Sequence, residues 1–209
     1  VWATPWTLDP KTEHRLLRNR VLIYMFDRYG FYALLLPFHT SYGLWSEKMT
    51  INQVKAYEDP EKRDRIRREI ISAIIHNAVT VFHWYLRKMV DRDVVEGFKR
   101  RIRGIKKCVN TQENPLLCEA RVWRAIFYVL RRIDDGFSGR IRRPPSDPMN
   151  ALISYLNGLL CAQCLHAILL VGLDPMISFV HEPSPRRRFS LPLDIKDIFM
   201  AYITIRLAV

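Results

Sequence analysis

Met149-Asn150-Ala151-Leu152-Ile153-Ser154-Tyr155-Leu156-Asn157-Gly158-Leu159-Leu160-Cys161-Ala162-Gln163-Cys164-Leu165-His166-Ala167-Ile168-Leu169-Leu170-Val171-Gly172-Leu173 contains no formally charged residue, and its reading decides the fold. Its length would suffice to cross a bilayer, which takes about 20 apolar residues. Its content argues otherwise: Asn150, Ser154, Asn157, Gln163 and His166 are too many polar groups for an isolated helix facing lipid. It reads instead as a buried central helix of a soluble, mostly α-helical protein. Asn150, Ser154, Asn157, Cys161 and Cys164 recur at helical spacing along one stripe. Buried polar groups need partners, so the stripe either bonds to neighbouring helices or lines a polar pocket. The expectation for Asn150, Ser154 and Asn157 is the pocket.

Upstream lies the most loop-like segment, residues 135–148, with Gly136, Gly139, Pro144, Pro145 and Pro148 as helix breakers and Arg140, Arg142 and Arg143 among them. Before it, Asn114-Pro115 opens a helix to about Asp134. Glu119 falls in its second turn, followed by Arg121, Arg124, Arg131 and Arg132; alone, the glutamate reads as a surface residue favoured by the helix dipole. Asp93 to Lys107 is a basic helix with Lys99, Arg100, Arg101, Arg103, Lys106 and Lys107, either a phosphate-contacting surface or a solvated connector. A long helix starts near Pro60, its apolar face traced by Ile66, Ile70, Ile71, Ile74, Ile75, Val79, Phe82 and Met89. Helical periodicity holds from about Ser46 onward. Earlier, Arg20 to Phe26 and Phe31 to Phe38 are β-type runs joined by Asp27-Arg28-Tyr29-Gly30, a hairpin that needs something to pack on. Residues 1–19 are left unplaced.

Downstream, Gly172-Leu173-Asp174-Pro175 ends the central helix. The next informative stretch is His181-Glu182-Pro183-Ser184-Pro185-Arg186-Arg187-Arg188-Phe189-Ser190-Leu191-Pro192-Leu193-Asp194-Ile195-Lys196-Asp197. Ser190 and Pro192 signal the start of a terminal helix running to Leu207. Asp194 and Asp197, three apart on that helix, point the same way. An imidazole and two co-facing carboxylates could hold a divalent cation. Taken alone, the residues favour a plainer reading, an acidic first turn beside a loop histidine.

The charge points to an anionic partner. Net charge is +12, and 24 of the 33 basic residues are arginine, whose planar fork suits bidentate phosphate contacts. No cleavable signal pattern stands at Val1, and neither a Gly-rich phosphate loop nor a nucleophile elbow occurs. Cys161 and Cys164 have the spacing of a zinc or redox motif, but inside an apolar helix they read as buried, unreactive thiols. A Cys108–Cys118 disulfide would call for an unusual intracellular setting such as a hyperthermophile.

In this order the pieces resemble the CRISPR-associated endonuclease and integrase family, Cas1, which inserts new spacers. The resemblance is carried by Leu117-Cys118-Glu119-Ala120, by Arg143-Pro144-Pro145-Ser146-Asp147-Pro148-Met149-Asn150-Ala151-Leu152-Ile153-Ser154-Tyr155, by Gly172-Leu173-Asp174-Pro175 with Phe179-Val180-His181-Glu182-Pro183, and by Leu193-Asp194-Ile195-Lys196-Asp197-Ile198-Phe199. It covers roughly residues 45–209 and, more weakly, the hairpin. It implies that Glu119, His181, Asp194 and Asp197 are catalytic and bind Mn(II) or Mg(II), which displaces the plainer reading of the acidic turn. It further implies a remnant of an N-terminal β domain over 1–45, a helical catalytic domain over 46–209, a homodimer, the small Cas2 subunit and DNA as partners, no membrane, and the prokaryotic cytoplasm. The implied chemistry is phosphoryl transfer, with a DNA 3′-hydroxyl as nucleophile in integration and water in nuclease action. Arg121, Arg124, Arg142, Arg143, Arg186, Arg187 and Arg188 are the expected DNA contacts. Two departures from the family are expected: at most the last hairpin of its N-terminal β domain lies within these residues, and Met200 follows Phe199 where an arginine is usual. Two alternatives stay open at this point, a non-catalytic helical DNA-binding scaffold and a transposon-borne integrase of the same fold.

Overall fold

A computed structural model describes residues 8–19, 21, 23–27, 30–35, 46–109, 114–142, 144–181 and 189–209. Helix α1 is Pro10–Arg18, followed by strands β1 (Ile23–Asp27) and β2 (Gly30–Leu35). The helices α2 (Ser46–Glu58), α3 (Pro60–Trp84), α4 (Arg92–Val109), α5 (Pro115–Ile133), α6 (Pro148–Leu170), α7 (Leu191–Met200) and α8 (Arg206–Ala208) make up the rest, with a 3-10 turn at Leu86–Met89 and a π turn at Ala201–Ile205. The chain is mostly α-helical, as expected. Its strands, among the described residues, are confined to the hairpin, paired antiparallel from Ile23 with Leu35 to Asp27 with Gly30. The hairpin leans on α6, where the Tyr24 ring meets the edge of His166.

Three helices begin with the same device. Asp59, Asn114 and Asp147 accept hydrogen bonds from the first free backbone N–H groups of α3, α5 and α6, and each is followed by a proline whose missing N–H costs nothing there. Helix α1 starts in the same way, with Asp9 accepting from Lys11 and Thr12 ahead of Pro10.

The core forms where α3 and α5 meet. Ile71, Ile74, Ala78, Val81 and Phe82 of α3 pack with Val122, Ala125, Ile126, Val129 and Leu130 of α5, all nearly inaccessible. Helix α4 closes one side with Val94, Phe98, Ile102 and Ile105, and the Phe98 ring stacks on Phe82 at 3.8 Å between centroids. Met89, expected on the α3 face, instead lies beyond the helix on the 3-10 turn and is exposed.

Helix α6 corrects an expectation. It is long and apolar enough to cross a membrane, yet it is not buried all round: Met149, Ile153, Leu160, Leu165 and Ile168 face inward while Leu152, Tyr155, Leu170 and Val171 are exposed. It is a peripheral helix with one buried side. Gly172 then adopts φ +74°, a left-handed conformation open to glycine, and reverses the chain. The loop that follows is tied to the body. Gln53 of α2, itself buried, donates to the Asp174 and Ile177 carbonyls at 2.9 and 2.8 Å and accepts from the Asp174 N–H at 2.8 Å. Arg67 of α3 donates to the Phe179 carbonyl. Asn77 of α3 anchors α7 by donating to the Ile198 carbonyl at 2.7 Å.

Candidate metal centre

Glu119 points into the core from the second turn of α5, on the side that carries Val122 and Trp123. Its Oε1 accepts a hydrogen bond from the Trp123 indole N–H at 3.2 Å, one turn further on. Its Oε2 is buried and has no hydrogen-bond partner. An orphaned carboxylate oxygen is costly in an interior unless something else satisfies it.

His181 reaches the same place from the loop after α6, and Asp194 puts it there. One carboxylate oxygen of Asp194, fully buried, accepts from the N–H groups of Phe179 and Val180 at 2.7 and 2.9 Å. The other accepts from the His181 N–H at 3.0 Å and pairs with the His181 ring Nδ1 at 2.8 Å. Three consecutive backbone amides and the ring thus close on one side chain of α7. Ser190, at the start of α7, uses its hydroxyl to hold the Met176 carbonyl at 2.8 Å instead of capping the helix.

Asp197, one turn beyond Asp194, completes the group. One ligand atom from each of Glu119, His181 and Asp197 lies within 4.8 Å of the others. Asp194 stands outside this triad, behind the imidazole. Lys196 donates to Asp197 Oδ1.

Packing these groups together perturbs them. Burial pushes the Glu119 carboxyl up to about 7, reinforced by the negative charge of Asp197 and opposed by His181 and the Trp123 hydrogen bond. Burial disfavours charge on His181, but its hydrogen bond to Asp194 and the carboxylates of Glu119, Asp194 and Asp197 outweigh that and raise its pKa. Two carboxyl oxygens and one imidazole nitrogen, with one oxygen unsatisfied, make a donor set that could hold a divalent cation.

The other sequence-selected residues lie elsewhere. Asn150, inaccessible to solvent, anchors the loop before α6: it accepts from Arg140 and the Ile141 N–H, both at 2.9 Å, and donates to Gly139 and Asp147 at 2.7 and 2.6 Å. Ser154 bridges Arg140 and the Asn150 carbonyl. Asn157 accepts from Thr204 of the π turn at 3.0 Å. Among the described residues, Asn150, Ser154 and Asn157 of the stripe thus bond within the helical body and not to the triad, while Cys161 and Cys164 lie near enough to Asp197 and Lys196 to feel their charge. Arg121 and Arg124 are exposed on the outer side of α5, and Arg142 is exposed in the loop. Arg143, Arg186, Arg187 and Arg188 lie outside the described residues, as do the hairpin turn residues Arg28 and Tyr29. Cys161 and Cys164 are free, and burial pushes both thiols up, Cys164 to about 11, so they are inert as nucleophiles at neutral pH. Cys118 is buried and disulfide-bonded, while the side chain of Cys108 is not among those described. Trp123 and Lys196 went unnoticed in the sequence. The i, i+4 spacing of Glu119 and Trp123 was the available sign of the first.

A helical protein with two buried carboxylates meeting a part-buried imidazole, its histidine held by a further carboxylate, carries a candidate divalent-cation centre. The family model of the CRISPR associated protein Cas1 matches residues 1–209, and the chain belongs to that family. Its relatives include the CRISPR-associated endonuclease Cas1 of Methanocaldococcus jannaschii, 32% identical over 97% of this chain and 60% of that protein. The Haloferax volcanii protein of the same name is 34% identical over 78% of this chain and 50% of that one. The chain thus spans between half and three-fifths of the length of these curated relatives. A solved CAS1 protein from Thermotoga maritima superposes with a TM-score of 0.72 at 28% identity, over 97% of this chain and 63% of that chain. The fold is also shared with a casposase bound to integration product (TM-score 0.62, 21% identity, 97% of this chain and 60% of that one) and with a chain of a partial Cas6-RT-Cas1–Cas2 complex (0.68, 19%, 97% and 61%).

Proposed function

We propose that this chain is the catalytic portion of a metal-dependent DNA endonuclease and integrase that inserts spacer DNA into a CRISPR array. The observation that carries the reading is the meeting of Glu119, His181 and Asp197, from three separate segments, around a buried carboxylate oxygen that no donor satisfies. Those three residues would hold Mn(II) or Mg(II). The chemistry a bound cation would supply is polarisation of the scissile phosphate and compensation of charge on the attacking and leaving oxygens. Asp194, by taking Nδ1, leaves Nε2 as the ring nitrogen for the cation, the carboxylate–histidine arrangement common behind metal ligands. Trp123 fixes one oxygen of Glu119 and so directs the other into the site. No side chain need become covalently attached to DNA: the nucleophile is a DNA 3′-hydroxyl in integration and water in cleavage.

Arginines supply the DNA backbone contacts, from Arg121, Arg124, Arg142, Arg143, Arg186, Arg187 and Arg188. Residues 46–209 act as the catalytic domain and 1–45 as part of a β domain, working as a homodimer with the Cas2 subunit in the prokaryotic cytoplasm. The relatives' names, the casposase and the Cas1–Cas2 assembly support this reading. Joining a 3′-hydroxyl oligonucleotide to supercoiled plasmid, with and without Mn(II), tests it. Wild-type chain should give joined product only with the metal, and Glu119→Ala or His181→Ala should give none. Full activity in Glu119→Ala would sink the enzymatic reading in favour of a DNA-binding scaffold.

A further inference from the structure

Every member of the triad has one of its ligand atoms already engaged. Trp123 donates to Oε1 of Glu119, Asp194 takes Nδ1 of His181, and Lys196 donates to Oδ1 of Asp197. The last of these contacts is the least expected. Neighbouring residues on a helix point about 100° apart and do not face each other, so helical spacing alone would not bring Lys196 to Asp197. A lysine ordinarily runs its stem outward and keeps the charged head in water. Here the Lys196 side chain is 12% exposed and that of Asp197 8%, and the ammonium turns back onto the carboxylate beside it.

The ammonium lies behind Asp197 as seen from the other two ligands. Its charge and that of Asp197 reach the Cys161 and Cys164 thiols of α6, whereas Lys196 is not among the main charges felt by Glu119 and His181. It therefore leaves the space between the three ligands open and takes only the outer oxygen of Asp197. The consequence is a count of donor atoms. With Oε1 of Glu119 and Oδ1 of Asp197 both engaged, each carboxylate has one oxygen left to give.

We infer that Lys196 is a specificity-determining residue of the metal centre: by occupying Oδ1 it limits Asp197 to a single ligand oxygen, which suits a small octahedral cation and disfavours Ca(II). Mg(II) is commonly held by one or two carboxylates and keeps several of its waters, so one oxygen from each of Glu119 and Asp197 meets its need. Ca(II) takes roughly six to eight oxygens and draws on carboxylates that give both of theirs. The inference rests on the proposed reading of the triad as a metal centre.

Calorimetric titration of the DNA-free chain with Mn(II) and with Ca(II), at one fixed pH, tests it. Wild type should bind Mn(II) at least ~10-fold more tightly than Ca(II). Lys196→Met keeps an unbranched stem of similar length but frees Oδ1, and should narrow that preference ~10-fold. Lys196→Ala should narrow it in the same direction. Lys196→Arg still donates to the carboxylate and should keep the wild-type ratio. The ratio is the decisive quantity, because both cations are divalent. Loss of the ammonium charge would tighten both alike, and a misplaced Asp197 would weaken both alike. Either result, with the ratio unchanged, would overturn the inference and leave the metal centre standing. Ca(II) bound by wild type as tightly as Mn(II) would also overturn it. If wild type binds neither cation, the metal reading itself falls, and the role of Lys196 falls with it.

Discussion

The Glu119 carboxyl loses most of its water on folding and gains a like charge as neighbour, so its pKa rises from an ordinary 4.5 to about 7. A shift of that size is worth on the order of 3 kcal/mol between its protonation states. The folded value lies above the unfolded one, so folding and protonation favour each other, and the metal-free chain loses stability as pH rises from about 4.5 towards 7. His181 acts in the same direction: its pKa is also raised, so its contribution is full below 6.5 and lost as pH climbs through the raised value. The metal-free melting temperature should therefore fall between about pH 5 and pH 8, and Mn(II) should restore more of it at pH 8 than at pH 5. Glu119→Gln should flatten the fall and abolish the restoration; a scanning-fluorimetry series checks both. Asp194 is a different kind of residue. Asp194→Asn keeps the volume but turns one acceptor into a donor facing backbone N–H groups. It should cost about 2–4 kcal/mol in urea unfolding and weaken Mn(II) roughly 10- to 100-fold in calorimetry. Unchanged Mn(II) affinity would show that His181 needs no such support.

Helix α6 shows how an element can be right in extent and misread in role. The absence of charge from Met149 to Leu173 was read as burial, yet apolar side chains also face outward, and no sequence period on this helix separates its two sides. The first two residues of its polar stripe, Asn150 and Ser154, are held by the Arg140 loop because Asn150 offers both donor and acceptor to four backbone or side-chain partners there. Asn150→Ala would orphan several of them and should cost about 2–4 kcal/mol in chemical denaturation while leaving Mn(II) affinity within about twofold. Helices α3, α5 and α6 were legible because an Asp-Pro or Asn-Pro start precedes a long apolar run. Asp9-Pro10 carries the same start signal, but α1 buries no residue, so no stripe announced it. The π turn at Ala201–Ile205 left no trace in the sequence, since Thr204 and Asn157 meet only in the folded chain. Spacing likewise put Asp194 and Asp197 on one face without revealing that three loop amides would claim the first. Glu119 came into view as a ligand only by resemblance, because alone it reads as an ordinary surface glutamate.

At the scale of the whole molecule, two electrostatic systems are kept apart. The triad is an acidic knot inside a chain of net charge +12, and the exposed arginines of α5 lie on the other side of the helix that carries Glu119. If both met the same phosphates, removing the glutamate would change how DNA binding responds to salt. Separated, they should behave independently: counterion release depends on how many phosphates the cations neutralise, about 0.9 per phosphate in the duplex slope. Glu119→Gln raises the net charge by at most one unit at a site buried from solvent, so the slope in filter binding should stay within about half a unit of wild type. Strand transfer by the same protein, assayed with Mn(II), should be lost. A slope altered by two or more would mean that triad and arginines contact a common phosphate cluster, and the division of labour between the two faces of α5 would have to be abandoned.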